Sequence, residues 1–136
     1  MASSLTMSSP DLANVYRSYI EAILSHDIES MSRYVSDEVV HNGQLLGLEG
    51  YKDLLKRNIV DTGTTIEIKR LITDHDHVAA LLVFTTKEQT RELVAVKLDG
   101  NPFSYSENVF YDFKDDKIIE VHSLVDLDMI RSHRLQ

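Results

Sequence analysis

The sequence predicts an α+β fold: a cone-shaped, curved antiparallel sheet with three N-terminal helices enclosing a pocket. Three observations carry that expectation. Up to Ile59 the apolar residues recur mostly at helical spacing, and from Thr65 onward the chain turns β-branched and alternating. Helices first and strands afterwards segregate into two packed layers. Finally, Phe103 to Leu127 reads as two strands folded back at Lys114-Asp115-Asp116. Each is about ten residues long, beyond the usual five or six, which calls for a strongly curved sheet. Helices laid in such a concavity leave a conical hole suited to a small molecule.

The elements follow in order. Ser9-Pro10-Asp11 reads as a helix start, with Ser9 as N-cap and proline in the first helical position. Leu12, Val15, Tyr19, Ala22 and Ile23 then share one face. Ser25-His26-Asp27 breaks the pattern before a shorter helix from Ile28 to Val35. Glu38 to His41 makes a short strand and Asn42-Gly43 turns the chain. Gly47 opens a third helix whose apolar face is Leu48, Tyr51, Leu54, Leu55 and Ile59, ended by Thr62-Gly63. Strands are expected from Thr65 to Ile72, Val78 to Thr86 and Glu92 to Leu98, before the long pair. A helical turn from Asp128 to His133 closes the chain.

Composition narrows the function. The 136 residues fit one domain, 9–136, behind a flexible tail, 1–8. A chain of that size buries roughly two thirds of its unfolded surface. It has no cysteine, so no disulfide, thiolate metal site or cysteine nucleophile, which suits a reducing compartment such as the cytoplasm. MASSLTMSSP lacks the basic and apolar regions of a signal peptide, and no run approaches the roughly 20 apolar residues of a membrane span. With 22 acidic against 14 basic residues the net charge is -8, a field that repels nucleic acid and anionic lipid. Lys52, Lys56 and Arg57 read as a solvated helix face.

EVVHNGQLLGLEGYKDLL and LDGNPFSYSENVFYDFKDDKIIEVHSLVDLDMI together resemble the SnoaL-like polyketide cyclase family within the nuclear transport factor 2-like superfamily. The likeness runs from Asp11 to nearly the end and includes a Gly-x-x-Gly helix start at Gly47 to Gly50. It implies a cone-shaped barrel, usually a homodimer, acting on a hydrophobic small molecule without metal or organic cofactor. Family cyclases close a ring by an intramolecular aldol step, using an acid near the end of the last strand. Here that position reads Ser123, a departure from the pattern. SYIEAILSHDIESM also resembles the first helices of ketosteroid isomerase. That likeness places Tyr19 as an oxyanion donor, His41 at the carboxylate base and Asn108 at the protonated acid.

Enolisation beside a carbonyl needs a base near the α-proton and donors aimed at the oxygen where charge accumulates. Tyr19 and Asn108 are the expected donors and His41 the base. His122 would return the proton, and Asp126 would orient His122 or move protons itself. Tyr16, Ile23, Tyr51, Leu55, Val109 and Ser123 are expected to line the substrate pocket. Each has a plainer reading: Tyr19 as core, His41 as a turn histidine, His122 as a structural one, Asp126 as N-cap of the terminal turn. Arg91 and Glu107 read as rim or surface charges. Asp74-His75-Asp76-His77 has a His-x-His spacing but fits a polar turn between strands better than a metal site. A cofactor-independent isomerase, lyase or cyclase of secondary metabolism is therefore the leading expectation. The alternative is a non-catalytic small-molecule-binding or dimeric interaction module on the same fold.

Overall fold

The computed structural model describes residues 11–136. The expected tail and the Ser9-Pro10 helix start lie outside them. Asp11 itself is the N-cap of α1 (Leu12–Leu24), its side chain accepting a hydrogen bond from the Ala13 N–H at 3.0 Å. The buried stripe of α1 is Leu12, Tyr16, Tyr19, Ile20 and Ile23, while Val15 and Ala22 pack half-buried at its border.

A 3₁₀ segment, Ile28–Arg33, follows, shorter than the expected second helix. The β-branched Val35 is already in a strand, β1 (Val35–His41), where it is fully buried opposite Ile118. Asn42 and Gly43, with φ of 48° and 83°, turn the chain into the two-residue β2 (Gln44–Leu45). Next comes α2 (Gly47–Leu55), which runs on as a π-helical turn, Lys56–Val60. Two α-helices and a 3₁₀ segment thus stand where three helices are expected.

Strands β3 (Thr65–Thr73) and β4 (His77–Thr85) precede a small separate hairpin, β5 (Glu92–Leu93) and β6 (Val96–Lys97). The continuous strand expected from Glu92 to Leu98 does not form, because Val94 and Ala95 at φ 48° and 61° reverse the chain in its middle. The long pair is β7 (Ser104–Lys114) and β8 (Lys117–Val125), followed by α3 (Leu127–Arg131). The main sheet runs β2-β1-β8-β7-β4-β3. It is mixed and not wholly antiparallel: β1 lies parallel to β8, with His41 beside Val121. A parallel join needs a long crossover, and everything from β2 to β7 supplies it.

Alternation along β7 and β8 sets what faces the helices. Tyr105, Val109, Tyr111 and Phe113, with Ile118 and Val121, are buried in one core cluster with the apolar stripe of α1. The outer face carries Phe110, 60% exposed, and Leu124, 71% exposed. Among the described residues no helix is long and apolar enough to cross a membrane.

The β7–β8 turn places both Asp115 and Asp116 at positive φ, 52° and 62°. This is the geometry that two-residue hairpins favour and that Asn-Gly satisfies best. A left-handed residue with a side chain costs about 1 kcal/mol relative to glycine. Asp116→Gly is therefore expected to raise unfolding free energy by about that amount, read as a higher denaturant midpoint at unchanged m-value. An unchanged or lower midpoint would contradict the turn.

Candidate active site

Between α1, α2 and the concave sheet lies a cavity of about 310 Å³, at the lower end of ligand-site sizes. Its walls are mostly apolar: Ile20, Ile23, Leu55, Ile59, Leu82 and Val121 among others. Tyr19, His41, Tyr51, Tyr105, Glu107, Tyr111 and Ser123 complete the lining and bring polar groups to it.

Glu107 is the carboxyl that the cavity shifts toward neutral pH. It sits on β7 two residues before Val109, so it shares the inward face with Tyr105, Val109 and Tyr111. Its carboxyl has no hydrogen-bond partner among the described residues. Burial alone raises its pKa from 4.5 to about 7.

The phenols form two hydrogen-bonded pairs. Tyr19 and Tyr51 are 2.6 Å apart through their hydroxyls, and Tyr16 and Tyr111 are 3.1 Å apart. Burial pushes all four far above the ordinary phenol range, and so, to a smaller extent, does the neighbouring charge of Glu107. They are therefore neutral donors. In each pair one hydroxyl donates to the other, which leaves the accepting one with a proton to direct elsewhere.

His41 ends β1 at the cavity wall, half-buried, its ring centroid 6.2 Å from that of Tyr51. Burial, and then the nearby charge of His122, lower its pKa below the usual imidazole value. Its Nε2 lies 3.4 Å from the Ser123 hydroxyl.

The expected constellation divides. His41, Tyr19, Ile23, Tyr51, Leu55 and Ser123 are brought together at the cavity. Asn108 and His122 are corrected: strand alternation turns both to the outer face, where they are exposed, and His122 Nε2 approaches Glu120 Oε2 at 2.9 Å. Asp126 is exposed, and its carboxylate caps α3 by accepting the Met129 N–H at 3.1 Å. Tyr16 and Val109 are buried one layer behind the wall. Glu107, read from sequence as a rim or surface charge, takes the inward place assigned to its neighbour Asn108. The signal for it was present, since it keeps the odd-numbered alternation of Val109 and Tyr111.

The aspartate-histidine run is the turn between β3 and β4. Asp74 Oδ1 accepts the N–H groups of Asp76 and His77 at 3.1 and 2.8 Å, and His77 Nδ1 lies 3.0 Å from the same oxygen. Those bonds to its own turn account for the cluster. A second, more polar hollow borders the cavity through Leu54, Asn58 and Val94, so the β5–β6 turn stands at the mouth.

A curved sheet roofed by helices, with a desolvated carboxyl, an imidazole and paired phenols in an apolar hollow, defines an α+β pocket protein. The sequence profile of the SnoaL-like polyketide cyclase family matches residues 13–131, and the chain belongs to that family. A SnoaL-like polyketide cyclase from Agrobacterium tumefaciens is 29% identical, with a TM-score of 0.79 over 93% of this chain and 98% of that one. TsrD from Streptomyces laurentii is 14% identical, with a TM-score of 0.80 over 94% and 97% of the two chains. An NTF2-like protein from Cytophaga hutchinsonii is 10% identical, with a TM-score of 0.67 over 92% and 98%. These last two likenesses speak for the fold alone. No curated protein matches the chain by sequence.

Proposed function

We propose that the protein is a cofactor-independent acid–base enzyme acting on a hydrophobic, carbonyl-bearing, polyketide-like metabolite, by isomerisation, dehydration or aldol-type cyclisation. The observation that carries this reading is Glu107, a carboxyl with a pKa near 7 in a largely apolar cavity beside neutral phenols. A base is most effective when its pKa lies near the working pH. In its ionised form Glu107 takes a proton from the carbon next to the substrate carbonyl, and the electron pair of that C–H bond passes to the carbonyl oxygen. The free hydroxyl proton of the Tyr19–Tyr51 pair meets the charge that develops there. The enolate then recovers the proton at another carbon, expels a β-hydroxyl as water, or attacks a second carbonyl of the same chain. Ser123 is not asked to move a proton in this scheme, which answers the departure from the family's acid position.

A homodimer belongs to the same proposal. Phe110 and Leu124 on the outer sheet face would be covered by a second copy.

The test is hydrogen–deuterium exchange at the α-carbon of a panel of apolar mono- and diketones in D₂O, followed by mass spectrometry. Exchange well above the buffer rate for at least one ketone is the expected result. Saturable binding of the panel with exchange at the buffer rate would replace the enzyme with a binding module.

A further inference from the structure

The hairpin at the cavity mouth turns on residues that its geometry disfavours. Glu92 pairs with Lys97 and Leu93 with Val96, so Val94 and Ala95 alone reverse the chain. Both have positive φ, 48° and 61°, the signature of a type I′ loop, which Asn-Gly or Gly-Gly makes without strain. A β-branched side chain there is an outlier, because its Cβ crowds the backbone.

The core does not offset that strain. Leu93 is fully buried and Val96 packs against the core, whereas Val94 is 38% exposed and has no place in the core cluster. Ala95 is exposed as well. The Val94 N–H lies 3.5 Å from Asn58 Oδ1, a long contact that asparagine or glycine at this position would make equally well. Neither the turn nor the packing selects valine.

What Val94 does border is the passage between two hollows. With Leu54 and Asn58 it lines both the cavity of about 310 Å³ that contains Glu107 and the adjoining hollow of about 550 Å³. The outer hollow is otherwise lined largely by polar residues, among them Arg57, Asp61, Gln89, Arg91 and Glu92, so an exposed apolar side chain is out of keeping there. Backbone strain retained without local gain clusters where ligands are clamped. We infer that Val94 is a specificity-determining residue, whose side chain packs on the apolar skeleton of an elongated substrate where that skeleton leaves the inner cavity. The inference rests on the reading of the inner cavity as a substrate site and names the class it prefers: molecules too long for that cavity, with an apolar segment at the mouth beside Leu54 and Val94. Turnover is not required for this contact, since a binding module would make it too.

The test uses non-enolisable probes, benzophenone and its para-alkyl derivatives with chains of one to six carbons, titrated calorimetrically into the full chain. Affinity of the wild type is expected to rise as the alkyl chain becomes long enough to reach the mouth. Two variants separate contact from strain. Val94→Asn combined with Ala95→Gly gives the turn its preferred residues. It is expected to raise the denaturant midpoint while weakening the longer ligands by roughly 4- to 15-fold, the worth of burying one or two methyl-sized groups. Val94→Thr keeps the β-branch, and with it the strain, but exchanges a methyl for a hydroxyl. It is expected to hold the midpoint near that of the wild type and to weaken the same ligands by at least roughly 4-fold. Equal affinities of the wild type and both variants along the series overturn the proposal. So does a lower midpoint for the Asn-Gly variant, which would give the valine a place in the fold. A wild-type affinity that is absent, or independent of chain length, overturns it as well. Failure of the catalytic reading shows instead as missing α-proton exchange with these affinities intact, so the two failures are distinct.

Discussion

Glu107→Gln is expected to lower α-proton exchange and turnover of any accepted ketone by about 10²- to 10⁴-fold, the usual contribution of a positioned general base. The amide keeps the shape of the carboxyl and cannot take the proton. The wild-type rate at low substrate should rise as pH passes through about 7, because burial sets the titration there and only the ionised form is a base. In the variant that rise should disappear. A Glu107→Gln enzyme with wild-type rate, or with the same inflection near neutrality, would mean that another group moves the proton. Binding of a non-enolisable analogue should change little, which separates a lost base from a collapsed cavity.

The same substitution is expected to change stability in the opposite direction. Glu107 has a folded-state pKa of about 7 against 4.5 when free in water, so between those values the native chain holds a proton that the unfolded chain has lost. Stability therefore falls as pH rises from about 4.5 to 7 and levels off above, by about 3 kcal/mol for this one group. Glu107→Gln carries no such penalty. The difference in unfolding free energy between variant and wild type should move in favour of the variant by about 3 kcal/mol from pH 4 to pH 8, measured by urea denaturation at each pH. A difference that stays constant with pH would show that the carboxyl is solvated in the native protein. A group that costs stability and supplies reactivity is the pattern expected where a site, and not the fold, has set the residue.

Much of the architecture was legible in the sequence because it rests on local periodicity. The alternation through Val109, Tyr111 and Phe113, and the Lys114-Asp115-Asp116 turn, locate β7 and β8 to within a residue or two. Periodicity says nothing about which strand lies beside which, and so the parallel pairing of β1 with β8 was not foreseen. Nor does it show a turn made without glycine, as at Val94-Ala95.

The site was harder to read for a related reason. Tyr51 was found because it falls on the apolar face of its helix, and Tyr19 and His41 because of the likeness to ketosteroid isomerase. The donor on β7 was placed at Asn108, one residue from Glu107, and in a strand one residue is the whole distance between cavity and solvent. His122 was misplaced by the same parity, since it falls between the inward-facing Val121 and Ser123. Asn42 read as half of an Asn-Gly turn. Its side chain accepts the Ser123 backbone N–H at 2.8 Å, a partner that only the tertiary fold brings beside it.

The join between β1 and β8 also decides when this protein can become whole during synthesis. A ribosome that has delivered the chain as far as Lys114 has already released Val35–His41, yet the segment that must lie alongside it, Lys117–Val125, is still to come. Until that segment is made, the early strand waits with one flank unpaired, the condition in which nascent chains capture each other or a chaperone. Closure waits for that later segment, which also brings Ser123 up to Asn42 and His41, so the sheet and this corner of the cavity are completed together.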